Sequence, residues 1–224
     1  MKIPVRPAPG CTVPSGAAKV SSTRAAVVPT PTILDNLLAE GLIPPVVAVF
    51  PDSLDGVTRM REMLLYSPFN DFVAQELVPW TRERYHVTSD PAQTIVGGSS
   101  AGGLTAGFVA LEYPEVFGNV LAQSGAFRWT PGDREHEWLA RQFATREKLP
   151  LKFYIEAGIL EVNSLLALGD GPNLIIASRH IRNVLEAKGY PVHYTEFAGG
   201  HDYLSWRGTL ADGLLALIGK ENVS

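Results

Sequence analysis

Cysteine is almost missing from the 224 residues: Cys11 stands alone, so neither an intrachain disulfide nor a cysteine-built metal site can form. Long apolar runs are missing too, and no stretch of about 18 residues could serve as a membrane-spanning helix. At the start, Pro4, Pro7 and Pro9 break up the continuous apolar segment that a signal peptide needs. Basic residues are few: 19 Lys and Arg against 23 Asp and Glu leave a net charge of -4 with histidine neutral. No basic stripe is available to displace counterions from a polyanion. No pair of His or Cys residues shows ligand spacing, which argues against a metal hydrolase. These shortages predict a cytoplasmic protein that holds no metal or other cofactor and has neither nucleic acid nor a membrane as a partner.

What is present is enough apolar material, 46% of residues, for one domain with a substantial core. Residues 1–28 are rich in proline and read as an extended arm in which only Arg24–Val28 could join a sheet. Residues 29–224 read as a single domain. Thr32 can cap a helix that Gly41 stops, and Pro45–Phe50 is an apolar run that fits a strand buried on both faces. Phe69 to Tyr85 has helical spacing with Pro79 as a bend. The strand Thr94–Val96, a helix Gly103–Glu112 and the strand Asn119–Gln123 follow. Residues 131–148 read as an exposed helix around Trp138, Leu139 and Phe143. Leu151–Ala157 is the next strand, and Asn173 caps a helix to Lys188 with Ile175, Ile176, His180, Val184 and Leu185 as its stripe. The strand Val192–Phe197 and a terminal helix from Leu204 to Ile218 complete the alternation. Such a pattern predicts an α/β fold, a doubly wound, mainly parallel sheet with helices on both faces, and places a site at the carboxyl ends of the strands. Ser100, Ser124, the segment after Ala157 and His201 all fall there.

The strongest chemical signal is a serine: Gly98-Ser-Ser-Ala-Gly102 puts Ser100 inside G-x-S-x-G, after an apolar run and before a stretch that reads as helix. A serine hydroxyl is a poor nucleophile, so a hydrolase lifts it clear of the sheet on a sharp strand-to-helix turn where a histidine can take its proton. Gly98 and Gly102 would relieve collisions across that turn, and Gly103 would let the helix approach the strand. Ser100 is thus the candidate nucleophile and Ser99 is not. Among five histidines, His86 lies on a connection, His136 in a charged segment, His180 within a helix and His193 within a strand. His201 alone follows the last strand, in a loop that Gly199 and Gly200 let fold back over the sheet edge. A third, acidic member would orient the imidazole. Glu161 fits by its place after a strand; Asp170 is the alternative on a longer loop. Asp202 is expected to point elsewhere, and Glu156 to face a helix from the strand body. The Ala101 amide, next after the nucleophile, is the expected oxyanion donor.

Three separate segments, Val96–Leu104, Pro114–Phe127 and Ala198–Gly208, resemble in order the putative-esterase family of α/β-hydrolases, on the enterochelin (ferric siderophore) esterase branch. The likeness runs from about Pro29 to Ile218. It implies the α/β-hydrolase fold in an amino-terminally reduced form, with ester hydrolysis by Ser100 and His201 and an acid that is weak or missing in some relatives. Because siderophore esterases of this branch usually carry an additional amino-terminal domain or a periplasmic targeting segment, the expected activity is a general carboxylesterase of small acyl or aryl esters. Siderophore hydrolysis and a catalytically weak binding or assembly protein are the alternatives. Phe127, Trp129, Tyr203 and Trp206 are candidates for an acyl or aryl pocket. The resemblance also implies a central strand whose following loop supplies a second oxyanion donor, and residues 1–28 do not read as that strand. The vacancy would be filled by residues 20–28 or covered by a second copy of the chain in a homo-oligomer.

Overall fold

In the computed structural model, residues 27–53, 55–132, 135–162 and 172–220 are described. Four parallel strands, β1 (Ile95–Ser99), β2 (Asn119–Gln123), β3 (Lys152–Gly158) and β4 (Val192–Phe197), lie side by side in chain order. Their registers align the carboxyl ends: Ser99 pairs Gln123, Gln123 pairs Glu156, and Gly158 pairs Phe197. Every residue of β2 is buried, as a strand covered by helices on both faces requires.

Strand periodicity sorts the apolar side chains into two cores. On one face, Val120, Ala122, Phe153 and Ile155 pack with Leu104, Phe108, Leu139, Phe143, Ile181 and Leu185. Three edge-to-face pairs among Phe143, Phe153 and Tyr190, with centroids 5.4–5.8 Å apart, close that core near β4. On the other face, Leu121 and Tyr154 pack with Leu34, Leu37, Ile43, Leu210, Leu214 and Leu217. The second core is covered by α1 (Thr30–Ala39) and the last helix, α8 (Tyr203–Ile218).

Between α1 and β1 lie α2 (Gly56–Glu62), capped by the Asp55 carboxylate, α3 (Ser67–Asp71) and α4 (Val78–Arg84). A π-helical segment, Phe72–Leu77, joins α3 to α4. Pro79 has no N–H to give and its ring crowds the preceding turn, so the bend expected there is taken up as a widened turn just upstream. The Thr81 hydroxyl donates to the Leu77 carbonyl at 2.7 Å. The first layer is completed by α5 (Ala101–Glu112), α6 (Trp138–Thr145) and α7 (Leu174–Ala187), whose Asn173 side chain accepts from the Ile176 amide.

Several expectations need correction. Pro45–Phe50 pairs with no described strand; instead Val46, Ala48 and Phe50 rest half-buried against the second core. Val27 and Val28 form no strand, and the rest of the run Arg24–Val28 lies outside the described residues. The first helix starts at Thr30 after Pro29, with Pro31 in its first turn, rather than under a Thr32 cap. The segment expected to be an exposed helix buries Leu139, Ala140 and Phe143 completely. In α7 the inward stripe is Ile175, Ala177, Ser178, Ile181 and Leu185, while Ile176 points outward. α2 had no sequence signal strong enough to announce it.

Candidate active site

β1 enters the site along its axis, and the chain reverses at Ser100 into α5. Ser100 holds φ 57° and ψ -122°, a conformation that an L-residue keeps only where its surroundings impose it. Its backbone is fixed from several sides: the Ser100 amide donates to the Gln123 carbonyl at 2.9 Å, and the Ser100 carbonyl accepts from Ala126 at 2.9 Å and Gly103 at 3.0 Å. The turn is crowded on one side only. A Cβ at Gly98 would stand 2.8 Å from the Gly102 backbone, and one at Gly103 would stand 3.0 Å from the Gly125 Cα. A Cβ at Gly102 would meet nothing within 4 Å, so the collision expected at both flanking glycines exists at Gly98 alone.

His201 follows β4 and reaches back to the elbow, with Nε2 2.8 Å from the Ser100 Oγ. Its Nδ1 lies 3.6 Å from the Glu161 Oε2. Neither of those two buried atoms has another hydrogen-bond partner among the described residues. Glu161 sits on the turn after β3 and is 2% exposed. Its other oxygen, Oε1, accepts from the Ser124 hydroxyl at 2.5 Å and from the Gly158 amide at 3.2 Å. Serine, imidazole and carboxylate therefore stand in line, contributed by the carboxyl ends of β1, β4 and β3.

With its proton on Nδ1, the imidazole can accept the Ser100 proton at Nε2 and present Nδ1–H to Glu161. Ala101 opens α5, so its amide is one of those that a helix leaves without an internal partner. Asp202 is turned away as expected, its carboxylate capping α8 at the Ser205 amide at 2.9 Å. Asp170 lies outside the described residues. Glu156 is buried in the strand body and faces α8 through Thr209.

The other histidines are engaged or remote: His193 stacks on Tyr154 with centroids 5.4 Å apart, His180 meets Glu137 at 3.0 Å, and His86 and His136 are exposed. Among the described residues no group of three or more His, Cys, Asp or Glu could hold a metal ion. No described helix is long and apolar enough to cross a membrane.

Of the four aromatics offered as a pocket, Phe127 is turned into the first core and Trp129 packs against that core, half-buried. Tyr203 is 38% exposed beside the site. Trp206 is buried; its ring stands edge-on to His201 at 4.9 Å and its indole Nε1–H donates to the Ser124 Oγ at 2.9 Å. It serves as a hydrogen-bond donor behind the site rather than as an open wall. Sequence reasoning placed Ser124 at a strand end without giving it a task.

Comparison with known proteins matches this architecture. Iron(III) enterobactin esterase of Dickeya dadantii is 34% identical over 197 residues, covering 83% of this chain and 43% of the relative. The Escherichia coli K12 enzyme of the same description is 32% identical, covering 85% and 46%. The enterobactin esterase of Shigella flexneri, solved in the presence of 2,3-di-hydroxy-N-benzoyl-glycine, superposes with a TM-score of 0.71 at 32% identity, over 82% of this chain and 47% of that one. The chain thus spans a little under half the length of these relatives, and its fold is that of the α/β-hydrolases. The family described as putative esterase matches residues 27–217, and the chain belongs to that family.

Proposed function

We propose that this chain is a serine ester hydrolase that works through a covalent acyl-enzyme on small acyl or aryl esters. The observation that carries the reading is the 2.8 Å approach of His201 Nε2 to a Ser100 hydroxyl held on a left-handed strand-to-helix turn. Ser100 Oγ attacks the ester carbonyl carbon as its proton passes to His201 Nε2. The tetrahedral oxyanion is met by the Ala101 amide, Glu161 balances the imidazolium, and His201 returns the proton to the departing alcohol. Water then repeats the sequence, releasing the acid and restoring Ser100.

Exposed apolar side chains flank the acid and the base: Ile159, Leu160 and Val162 around Glu161, and Tyr203 and Leu204 after His201. They favour a substrate with an apolar or aryl portion, and the relatives' names make a siderophore ester the first natural substrate to try. A cytoplasmic location belongs to the same reading.

A second reading has its own observation. Among the described residues no strand pairs with the outer edge of β1, and Pro45–Phe50 lies unpaired against the second core. Unpaired edges recruit other chains. In this reading the protein hydrolyses esters slowly and works mainly by assembly, with a second copy covering that edge. Sedimentation would separate the two, a monomer being incompatible with assembly through β1.

The deciding experiment is hydrolysis of p-nitrophenyl acetate by wild type and by Ser100→Ala, with rapid mixing to detect an acylation burst. The proposal expects turnover and a burst in wild type and neither in the variant. Equal rates in the two proteins would refute it.

A further inference from the structure

Behind the proposed triad lies a line of three buried side chains with a fixed direction. Trp206 Nε1–H can only donate, so at 2.9 Å the Ser124 oxygen must accept from it. The single Ser124 proton is then turned toward the Glu161 Oε1, 2.5 Å away. Ser124 is wholly buried and holds φ 48°, which an ordinary serine avoids. Its amide continues the β2–β3 ladder by donating to the Glu156 carbonyl at 2.8 Å. The left-handed backbone is thus kept at a residue whose hydroxyl is occupied at both ends.

The consequence reaches the reacting atoms. With Oε1 tied to Ser124 and to the Gly158 amide, the carboxylate of Glu161 cannot rotate freely, and Oε2 is left facing His201 Nδ1. The same Trp206 ring supports the imidazole edge-on at 4.9 Å. A buried Trp–Ser pair filling space would need no such sequence of donor, acceptor–donor and acceptor. The orientation of each hydrogen bond is dictated: Trp206 donates to Ser124, and Ser124 donates to Glu161.

From this we infer that Trp206 and Ser124 are positioning residues for ester hydrolysis, acting through Glu161 to hold its free oxygen on His201. The inference rests on the serine-hydrolase reading and deepens it. Its test uses kcat and KM for p-nitrophenyl acetate in wild type, Ser124→Ala, Ser124→Gly and Trp206→Phe, each made with Glu161 intact and with Glu161→Ala. With Glu161 present, Ser124→Ala and Trp206→Phe are expected to lower kcat roughly ten- to a hundredfold, the worth of one hydrogen bond to a charged group, with KM little changed. Ser124→Gly suits the positive φ of this residue but lacks the hydroxyl, so it is expected to lose kcat as Ser124→Ala does. In the Glu161→Ala background, Ser124→Ala and Trp206→Phe change kcat by less than about twofold, since nothing is left for them to act through.

Equal losses in both backgrounds, or no loss in either, would overturn the assignment and reduce the pair to packing. Trp206→Phe keeps an aromatic ring beside His201 and removes the donor, so it carries the comparison even if the serine variants fail to fold. Ser100→Ala, run alongside, separates the two levels. If it is inactive while the losses are additive, only the relay fails; if it retains wild-type turnover, the hydrolase reading fails with it.

Discussion

Two glutamates lie buried along β3 and the turn that follows it, and their surroundings differ in one respect. Glu156 has every acceptor filled: Oε1 takes hydrogen bonds from Gln123 at 3.0 Å and Thr209 at 2.5 Å, and Oε2 takes one from the Tyr154 hydroxyl at 2.7 Å. Glu161 is as deeply buried, yet among the described residues only Oε1 is filled, and Oε2 faces an imidazole nitrogen that also has no other partner among them. The last residue of β2 and the one after it serve the two acids, Gln123 for one and Ser124 for the other, and Trp206 touches both networks, accepting from Gln123 through its carbonyl and donating to Ser124 through its indole. Burial is therefore the same for the acid that the proposed mechanism uses and for the one it does not. What differs is an acceptor left open toward an imidazole nitrogen.

Activity should divide the pair most sharply. Glu161→Ala is expected to lower kcat for p-nitrophenyl acetate by about 10³- to 10⁴-fold, the scale seen when the orienting acid of a triad is disabled. Glu156→Gln, which keeps the size and most hydrogen bonds, should stay within about threefold of wild type. Comparable losses in both would erase the distinction.

Stability should divide them the other way. Glu156→Ala strands the donors of Gln123, Thr209 and Tyr154 in the interior and is expected to cost roughly 2–4 kcal/mol in urea unfolding. A loss no larger than that of an ordinary surface substitution would show that this network is not a structural anchor.

The pH dependence follows from the sign of the Glu156 shift. Burial pushes its carboxyl above the ordinary 4.5, against the hydrogen bonds from Thr209, Tyr154 and Gln123. The folded state therefore holds the proton more readily than the unfolded one. Its contribution is full below 4.5 and is lost as pH rises through the raised value. Glu156→Gln should flatten that decline, and an unchanged slope of unfolding free energy against pH would contradict it. The same burial, together with the Glu156 charge, pushes the Tyr154 phenol upward.

The smallest effect belongs to a surface acid that serves as a control. The Arg179 guanidinium hydrogen-bonds Glu196 at 2.7 Å through both oxygens and holds its carboxyl down at about 2. Its stabilisation has the opposite sign, present above 4.5 and lost as pH falls toward 2. The pair is partly exposed, so Glu196→Gln should cost less than about 1 kcal/mol at neutral pH. A larger cost would mean that this rim pair anchors α7 to β4.

The sheet is legible for two reasons: Asn119–Gln123, buried throughout, reads as a short run with an apolar centre, while Val192–Phe197, half-buried at the end of the sheet, is marked by β-branched and aromatic residues alternating with polar ones. Pro45–Phe50 carried the same signature and misled, since apolarity reports burial and says nothing of which strand lies beside it. Ser100 and His201 could be found in sequence because a glycine-flanked turn and a strand-end loop leave local traces. What tied Trp206 to Ser124 could not, because the hydrogen bond joins residues 82 positions apart and depends on how α8 packs on β2. Trp206 accordingly read as pocket lining. The limit at Gly102 has the same origin: pattern alone treats both flanking glycines alike, and only the path of the backbone shows that Gly98 is the crowded one.

The most direct test of the account is the site of acylation. The protein, mixed with p-nitrophenyl acetate and quenched during the burst, would be digested and its peptides weighed. The account predicts one acetyl group on the peptide carrying Ser100, missing from Ser100→Ala and accumulating longer in Glu161→Ala. An acetyl group placed instead on Ser99 or Ser124, or none at all in a protein that turns the ester over, would contradict it.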